Sequence, residues 1–290
     1  MTIAVADARD KKKRAFNWRS VAVHGCLIFG ALLMIYPLLW LASSSLKPAN
    51  LIFSDLSLWP SKIRLQNYVD GWRGAALPFS TFFVNSFIVS GLAVVGNVLA
   101  CSMVAYAFAR LNFIFKKTLF AVMMLTIMLP LHATLIPQYA LFHKLGWVNT
   151  FLPLTVPKFL AVDAFFIFLM IQFIRGIPRE LDEAATIDGA GPIRVYWSII
   201  LPLLTPALVT TAVFSFIWTY EDFLSPLVYL TSMDRYTVPQ GLSLLMSSKG
   251  ASSWGPLLAM SLLSLVPLFV VFFIFQRRLI EGIATSGLKG

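Results

Sequence analysis

The residues of this chain most capable of chemistry are carboxylates, and six of the 13 lie in two short segments. Four of the 13 Asp and Glu residues lie within 180–188, and Glu221 and Asp222 are adjacent. Both segments border long apolar stretches, and a lipid bilayer offers a carboxylate no hydrogen bonds. The pattern therefore predicts that these side chains face water or another protein.

No catalytic or metal-binding pattern accompanies the carboxylates. The sequence lacks G-x-x-x-x-G-K-[ST], so it has no phosphate-binding loop. His24, His132 and His143 show no ligand spacing, and Cys26 and Cys101 lie inside apolar runs. We therefore predict no catalytic residue, no metal site and no cofactor bound by this chain.

The composition is that of an integral membrane protein. Hydrophobic residues make up 58% of the 290 positions and charged residues only 12%, whereas soluble domains carry about 25% charged residues. The net charge of +10 comes mostly from basic residues that flank apolar segments. Membrane topology and anionic lipid explain that placement better than a nucleic-acid partner, which we do not expect.

Six apolar segments have about the 20 residues that a membrane-spanning helix needs, and they predict an all-α membrane fold. The segments are 21–42, 82–108, 119–142, 152–174, 203–230 and 256–276. The first is too long for the apolar part of a signal peptide, so we interpret it as an uncleaved span. The fourth is interrupted near its start by Pro157, Lys158 and Asp163.

Charge asymmetry predicts the orientation. If the N-terminus is cytoplasmic, 15 of the 23 Lys and Arg residues lie on the cytoplasmic side, as the positive-inside rule requires. Both termini and the loop 178–202 are then cytoplasmic, and the long loop 43–81 is external.

The loop 178–202 has the residues for two short helices joined at a fixed angle. Pro178 suits a helix start, and the carboxylates that follow favour the positive end of the helix dipole. Gly189 can adopt the left-handed conformation that ends a helix, and Pro192 suits the start of the next one.

One face of the first helix is predicted to be suited to a protein contact. Leu181, Ala184, Ala185 and Asp188 share this face at helical spacing, and the small alanines let another surface approach closely. The rings of Tyr196 and Trp197 are expected to fill a pocket on a partner. The alternative on composition alone is an ordinary interfacial helix-turn-helix between two spans.

The spacing E-A-A-x-x-D-G-A, followed by an aromatic ring and Leu-Pro, resembles the coupling loop of bacterial ABC-importer permeases of the maltose type. The family usually has Phe where this chain has Tyr196. The resemblance implies contact with an ATPase subunit for the matching positions Glu183, Ala184, Ala185, Asp188, Gly189, Ala190, Gly191, Tyr196 and Pro202.

The resemblance also implies the architecture and the partners. The chain looks like the smaller of two permeases that import a carbohydrate across the bacterial inner membrane. The implied partners are a second homologous permease, two cytoplasmic ATPase subunits that hold ATP and Mg, and an extracytoplasmic solute-binding protein. The expected segments are 1–20 in the cytoplasm, 21–81 with the first span and external loop, the permease core 82–276, and the cytoplasmic tail 277–290.

Two further segments match the same family. The G-x-K-G ending implies that Gly287, Lys289 and Gly290 contact the ATPase pair. In the fifth span, the family's W-N-D-F-L-W-P pattern corresponds to residues 220–226, with Tyr220-Glu221 in place of Trp-Asn. The substrate-pathway residues that we predict here are Trp218, Tyr220, Glu221 and Asp222.

Alternatives remain at this stage. Glu221 and Asp222 can accept hydrogen bonds from sugar hydroxyls, but they can also sit at the external membrane boundary or pair with a neighbouring subunit. The cargo of an ABC permease can instead be a polyol, glycerol phosphate, an amino acid or a polyamine. An ion-coupled secondary transporter would need a buried relay, for which Glu221, Asp222 and Asp163 are the candidates.

Overall fold

The computed structural model describes residues 18–74, 77–248 and 254–287, which form helices and loops without any β-strand. The helices are α1 (Trp18–Ser45), α2 (Gln66–Gly74), α3 (Phe79–Arg110), α4 (Lys116–Ile127), α5 (Leu131–Lys144), α6 (Leu152–Phe159), α7 (Ala164–Arg175), α8 (Glu180–Ile187), α9 (Pro192–Val195), α10 (Leu201–Leu203), α11 (Thr205–Glu221), α12 (Leu224–Tyr229), α13 (Val238–Ser248) and α14 (Trp254–Gly287). A π-helix, Tyr196–Ile200, joins α9 to α10, and Ala49–Leu51 and Met233–Arg235 are 3-10 helices.

Four segments are long and apolar enough to cross a membrane singly: Ser20–Ser45, Phe79–Arg110, Leu152–Arg175 and Trp254–Arg277. Two bent helix pairs bring the number to six if each pair is one span. On that count, the six-span, all-α fold expected from the sequence is confirmed.

The third and fifth apolar segments each include a sharp change of helix direction. Between α4 and α5 the chain bends by 105°, at a break that includes Pro130, which lacks a backbone N–H and disfavours helix in the preceding residue. A second bend, of 75°, separates Pro192–Leu203 from α11. Helix α11 ends at Glu221 rather than continuing to 230, because the carboxylate of Asp222 accepts the N–H of Ser225 at 3.1 Å and the chain starts α12.

Helix α3 is the centre of the fold and packs on α6, α7, α11 and α13. One end of it contributes Cys101, Ala105 and Ala109 to a buried cluster with α7 and the segment 195–207. Its other end contributes Phe79 and Phe82 to a second cluster. By contrast, no residue in the apolar window of α1 is buried in the single chain, so most of that surface is left for lipid or another subunit.

Gly96 lets α3 and α6 approach closely. A Cβ atom at this position would lie 2.9 Å from the carbonyl carbon of Lys158 and 2.9 Å from Cδ2 of Phe159. Both distances are shorter than van der Waals contact, so only glycine fits without movement. Lys158 is one of the residues that interrupt the apolar run 152–174. It therefore lies where α6 packs directly against the central helix, α3.

The loop after α1 is folded. Lys47 is fully buried, and its Nζ donates to the carbonyl oxygens of Asp55 at 2.5 Å and Ser57 at 2.6 Å. The Ser57 hydroxyl and the Ser61 hydroxyl donate to the carboxylate of Asp55, and these bonds hold its pKa below the usual range. These hydrogen bonds from Lys47, Ser57 and Ser61 hold the loop against the end of α1.

Candidate functional site

The helix–turn–helix predicted for 178–202 is present. Helix α8 begins at Glu180, two residues after Pro178, and its first turn carries three carboxylates that favour the helix dipole. Gly189 has a φ of +80°, in the left-handed region that favours glycine. Pro192 opens α9, so the local chemistry of the turn follows the sequence expectation.

A buried ion pair that the sequence does not reveal fastens this loop to α3. Arg110 Nε lies 2.8 Å from Asp182 Oδ2, and Nη2 of the same guanidinium donates to the Ile177 carbonyl at 2.7 Å. The Arg110 side chain is 5% exposed and that of Asp182 is 20% exposed. The loop is therefore attached to the end of the central helix by a charged contact and a hydrogen bond.

Tyr196 is placed differently from the prediction that its ring fills a pocket on a partner. The ring is buried in the chain's own core. The Tyr196 hydroxyl is 2.7 Å from Ser102 Oγ, and the Tyr106 hydroxyl donates to the Pro192 carbonyl at 3.1 Å. The two tyrosines thus form a second fastening between the loop and α3, and of the two predicted rings only Trp197 is exposed.

The alanines of the loop divide between two surfaces. Ala184 is exposed, as are Glu183, Asp188 and Gly189. Ala185 and Ala190 instead pack against the buried cluster at the end of α3. The predicted alanine face is therefore only partly available to a partner.

Two exposed isoleucines are candidate contact residues that the sequence reasoning missed. Ile187 is 86% exposed and Ile193 is 76% exposed, one on each side of the turn. The sequence does contain a signal for these contact residues. One apolar residue stands immediately before Asp188, and another stands immediately after Pro192. Such side chains on a polar turn are suited to contact with another protein.

A second candidate site lies in the middle of the span 152–175. The span breaks between α6 and α7, where Lys158 Nζ and Asp163 Oδ2 form an ion pair at 2.9 Å. Both side chains are half-buried. The 12 residues of α7 separate Asp163 from the end of the span, which is about 18 Å of helix. The ion pair therefore lies near the middle of the span.

Exposed aromatic rings lie next to this ion pair. Phe165 and Phe166 open α7 just after Asp163, and each ring centroid lies 5.3 Å from that of Trp218. Trp218 is 49% exposed and Phe165 is 45% exposed. Phe166 is buried, so Trp218 and Phe165 provide the exposed aromatic surface that follows the ion pair in the chain and on α11.

The remaining predicted pathway residues are divided. Tyr220 is buried beside Phe216 and Phe87 in the single chain, so its ring offers almost no surface to a ligand, and its place on the pathway stays a prediction. Glu221 is exposed at the end of α11. Asp222 is half-buried, and its Oδ1 accepts a hydrogen bond from the Ser225 N–H at the start of α12. Of the four residues, Trp218 and Glu221 present the most side-chain surface.

Two further expectations concern the metal site and the tail. Within residues 18–74, 77–248 and 254–287, no group of three or more His, Cys, Asp and Glu side chains is placed to hold a metal ion. Gly287 is the last residue of α14. Lys289 and Gly290, predicted to contact an ATPase, lie outside the described residues.

Residues 96–284 match the family described as binding-protein-dependent transport system inner membrane component. The chain is 34% identical to the arabinooligosaccharides transport system permease protein AraQ of Halalkalibacterium halodurans, over 90% of this chain and 94% of that protein. It is 32% identical to the trehalose/maltose transport system permease protein MalG of Thermococcus litoralis, over 91% and 96%. A solved bacterial ABC transporter that imports the acidic polysaccharide alginate contains a chain of similar fold, with a TM-score of 0.78 at 22% identity, over 89% and 96%.

Proposed function

This chain belongs to the family of binding-protein-dependent transport system inner membrane components, and from that membership we propose that it forms half of the pathway for a sugar or sugar derivative in an ATP-driven importer. Relatives at 34% and 32% identity are named for arabinooligosaccharides and for trehalose and maltose. The observation that carries the proposal is the ion pair and aromatic surface around Asp163.

The ion pair indicates which face of the chain lines the pathway. A charged side chain near the bilayer centre is costly when it faces lipid. Lys158 and Asp163 are half-buried in the single chain, so part of each faces outwards. That exposed part is stabilised if it meets water or a second permease. We therefore infer that the surface with Lys158, Asp163 and Trp218 faces the translocation pathway.

The chemistry of this surface fits a sugar. An aromatic ring binds the apolar C–H face of a pyranose or furanose by contact, and the neighbouring carboxylate accepts hydrogen bonds from hydroxyls. Trp218 on α11 and Phe165 on α7 supply the rings, and Asp163, the residue before α7, supplies the acceptor. A pathway needs weak, rapidly exchanging contacts, and one half-exposed platform provides these.

A tryptophan pair offers a matched test of the pathway. We expect Trp218→Ala to lower sugar uptake by about tenfold, since truncating an aromatic anchor commonly costs more than 1 kcal/mol. The control is Trp59→Ala, at a side chain that is exposed in the loop after α1. Uptake is measured in proteoliposomes containing the complete transporter. Equal uptake by both variants and the unmodified protein would show that Trp218 is outside the pathway.

We further propose that the loop 178–202 docks on a cytoplasmic ATPase subunit. Ile187 and Ile193 supply exposed apolar surface, and the fastenings through Arg110 and Tyr196 make the loop rigid. ATP binding that closes the ATPase pair would then move the loop and α3 together. This chain has no phosphate-binding loop of its own, so hydrolysis, ATP and Mg belong to the partner subunits.

The docking proposal is tested by replacing one exposed isoleucine. We expect Ile187→Asn to reduce recovery of the ATPase subunits with the permease pair and to slow ATP-driven uptake. Ile63→Asn is the control, because Ile63 is also exposed but lies in the loop after α1. Glu183→Lys and Gly189→Pro test the charge and the turn in the same assay. Full uptake and normal assembly in all three loop variants would contradict the assignment.

The proposed complex also contains a second permease and an extracytoplasmic binding protein, in the bacterial inner membrane with both termini cytoplasmic. Orientation is tested by labelling with a membrane-impermeant maleimide in a background with Cys26 and Cys101 replaced. Ser61→Cys, in the loop after α1, should react in intact spheroplasts. Thr186→Cys, on α8, should react only after lysis. The reverse pattern would invert the topology.

The identity of the cargo is tested separately from the position of the pathway. The binding protein that works with this transporter is expected to be thermally stabilised by an oligosaccharide or disaccharide. A panel that adds polyols, glycerol phosphate, amino acids and polyamines tests the alternatives. Stabilisation only by one of these would exclude the sugar assignment and leave the pathway face intact.

A further inference from the structure

A basic cavity opens where the loop 178–202 leaves α7. Its volume is about 660 Å³. Residues from the end of α3, the start of α4 and the link from α7 to α8 line it, among them Arg110, Lys116, Arg175, Arg179 and Glu180.

The charge of this cavity is suited to an anion. Four cationic side chains line it, against the single carboxylate of Glu180. Arg110 is already neutralised by Asp182. Lys116, Arg175 and Arg179 form no ion pair with any other residue of the described ranges. Three unpaired cationic residues and one carboxylate thus remain around the pocket, which leaves a net charge of +2.

The depth of the cavity is that of lipid headgroups. Arg110 is the last residue of the span 79–110, and Arg175 is the last residue of the span 152–175. Lys116 is the first residue of the bent pair formed by α4 and α5. Three segments with membrane-spanning length therefore end around the same pocket, where the hydrocarbon region gives way to headgroups.

An exposed apolar loop beside the cavity fits the same environment. Phe113, Ile114 and Phe115 follow one another between α3 and α4, and all three side chains are exposed. Phe115 has a φ of +63°, in the left-handed region that bulky residues rarely adopt. Apolar side chains next to lysine and arginine are typical of segments that lie at the boundary between headgroups and acyl chains.

We propose that this cavity binds the phosphate group of an anionic lipid, with Lys116, Arg175 and Arg179 around the phosphate and 113–115 against the acyl chains. Ile177 and Pro178 line the same cavity and lead directly into α8. A bound lipid therefore braces the link between the span and the docking loop. The site does not depend on the cargo, and the orientation proposed above determines only which leaflet supplies the lipid.

Adjacent lysines give a matched test. The complete transporter is titrated in detergent with phosphatidylglycerol, and retained lipid is counted by native mass spectrometry. Lys116→Gln should weaken the affinity about fivefold, since a basic residue near an anionic membrane surface contributes about 1 kcal/mol. Lys117→Gln removes the same charge one residue away, outside the cavity, and should change the affinity less than twofold. Equal effects of the two variants would overturn the proposal.

The second variant and the competitors identify the source of the anion. Arg175→Gln with Arg179→Gln should weaken phosphatidylglycerol binding about 25-fold and leave phosphatidylcholine binding unchanged. Displacement by inorganic phosphate at millimolar concentration would show a site for soluble anions and overturn the lipid assignment. Loss of the ATPase subunits from this double variant, with lipid affinity unchanged, would show a protein contact and overturn it equally.

Discussion

The ion pair between Arg110 and Asp182 should control how firmly the loop 178–202 is held to the central helix. Asp182→Asn keeps the size of the side chain and removes its charge. The Arg110 guanidinium, 5% exposed, is then left without a counter-ion. We expect the region around residues 180–195 to open more often than in the unmodified protein.

The burial of the pair gives the magnitude. Breaking a buried ion pair by removing one partner costs about 3–5 kcal/mol. Asp182 is 20% exposed, so solvent already screens part of the interaction and the lower end of that range applies. A change of about 3 kcal/mol raises the population of the open loop by about 150-fold.

Hydrogen–deuterium exchange of the intact transporter measures this population directly, because amides exchange from locally opened states. Peptides covering 180–195 should lose most of their protection in the Asp182→Asn variant. The control is Asp70→Asn, whose partner Arg64 is 48% exposed, with Asp70 itself 34% exposed. An exposed pair contributes about 0–1 kcal/mol, so exchange around the control site should change about fivefold at most.

Two results would refute this reasoning. Unchanged exchange at 180–195 would mean that other contacts hold the loop without the ion pair. A similar change in both variants would mean that burial does not decide the strength of these two pairs. If the loop also couples ATP hydrolysis to transport, Asp182→Asn should lower the amount of cargo moved per ATP hydrolysed.

Three further variants probe the packing around the two sites. Gly96→Ala should destabilise the assembled transporter by about 1–3 kcal/mol through overpacking and lower its melting temperature, whereas Gly91→Ala, with no atom within 4 Å of its added Cβ, should leave the melting temperature unchanged. Asp163→Asn removes the carboxylate and should lower sugar uptake while the yield of assembled complex in size-exclusion chromatography stays near normal, because pathway water hydrates the exposed part of Lys158; a loss of assembled complex that is restored by replacing both residues with apolar ones would contradict the pathway-face argument. Tyr196→Phe removes one hydroxyl bond and should cost about 1 kcal/mol, but Tyr196→Ala should cost about 3–5 kcal/mol, as measured by thermal unfolding; equal costs would show that the ring is not an anchor.

In the loop 178–202, some features could be predicted from backbone preferences of single residues and others could not. The turn could be predicted because Gly189 and Pro192 each have a conformational preference that acts within one or two residues. The ends of α8 follow from the same local rules. The direction of Tyr196 could not be predicted from helical spacing, since an aromatic residue on a short helix has similar local geometry whether it faces inwards or outwards. Only the position of Ser102 on α3 decided it.

For the surface with Lys158, Asp163 and Trp218, which we propose lines the pathway, less could be predicted from the sequence. The sequence marked Lys158 and Asp163 as interruptions of an apolar run, but their pairing depends on the break between α6 and α7 and on the close approach of Gly96. Trp218 and Tyr220 are two residues apart on α11. One is exposed and the other buried, because positions two residues apart on a helix point about 160° apart and the neighbouring helices cover only one of these directions.

The sequence by itself determined that the chain spans a membrane, the approximate limits of its spans, and the helix–turn–helix of the loop that carries the family pattern. These follow from apolar length and from backbone preferences, which act over a few residues. Tertiary structure alone decided the bends of 105° and 75°, the pairing of Arg110 with Asp182, and the meeting of three span ends around one basic cavity. Each of these depends on groups that are distant in the sequence and adjacent only after the helices have packed.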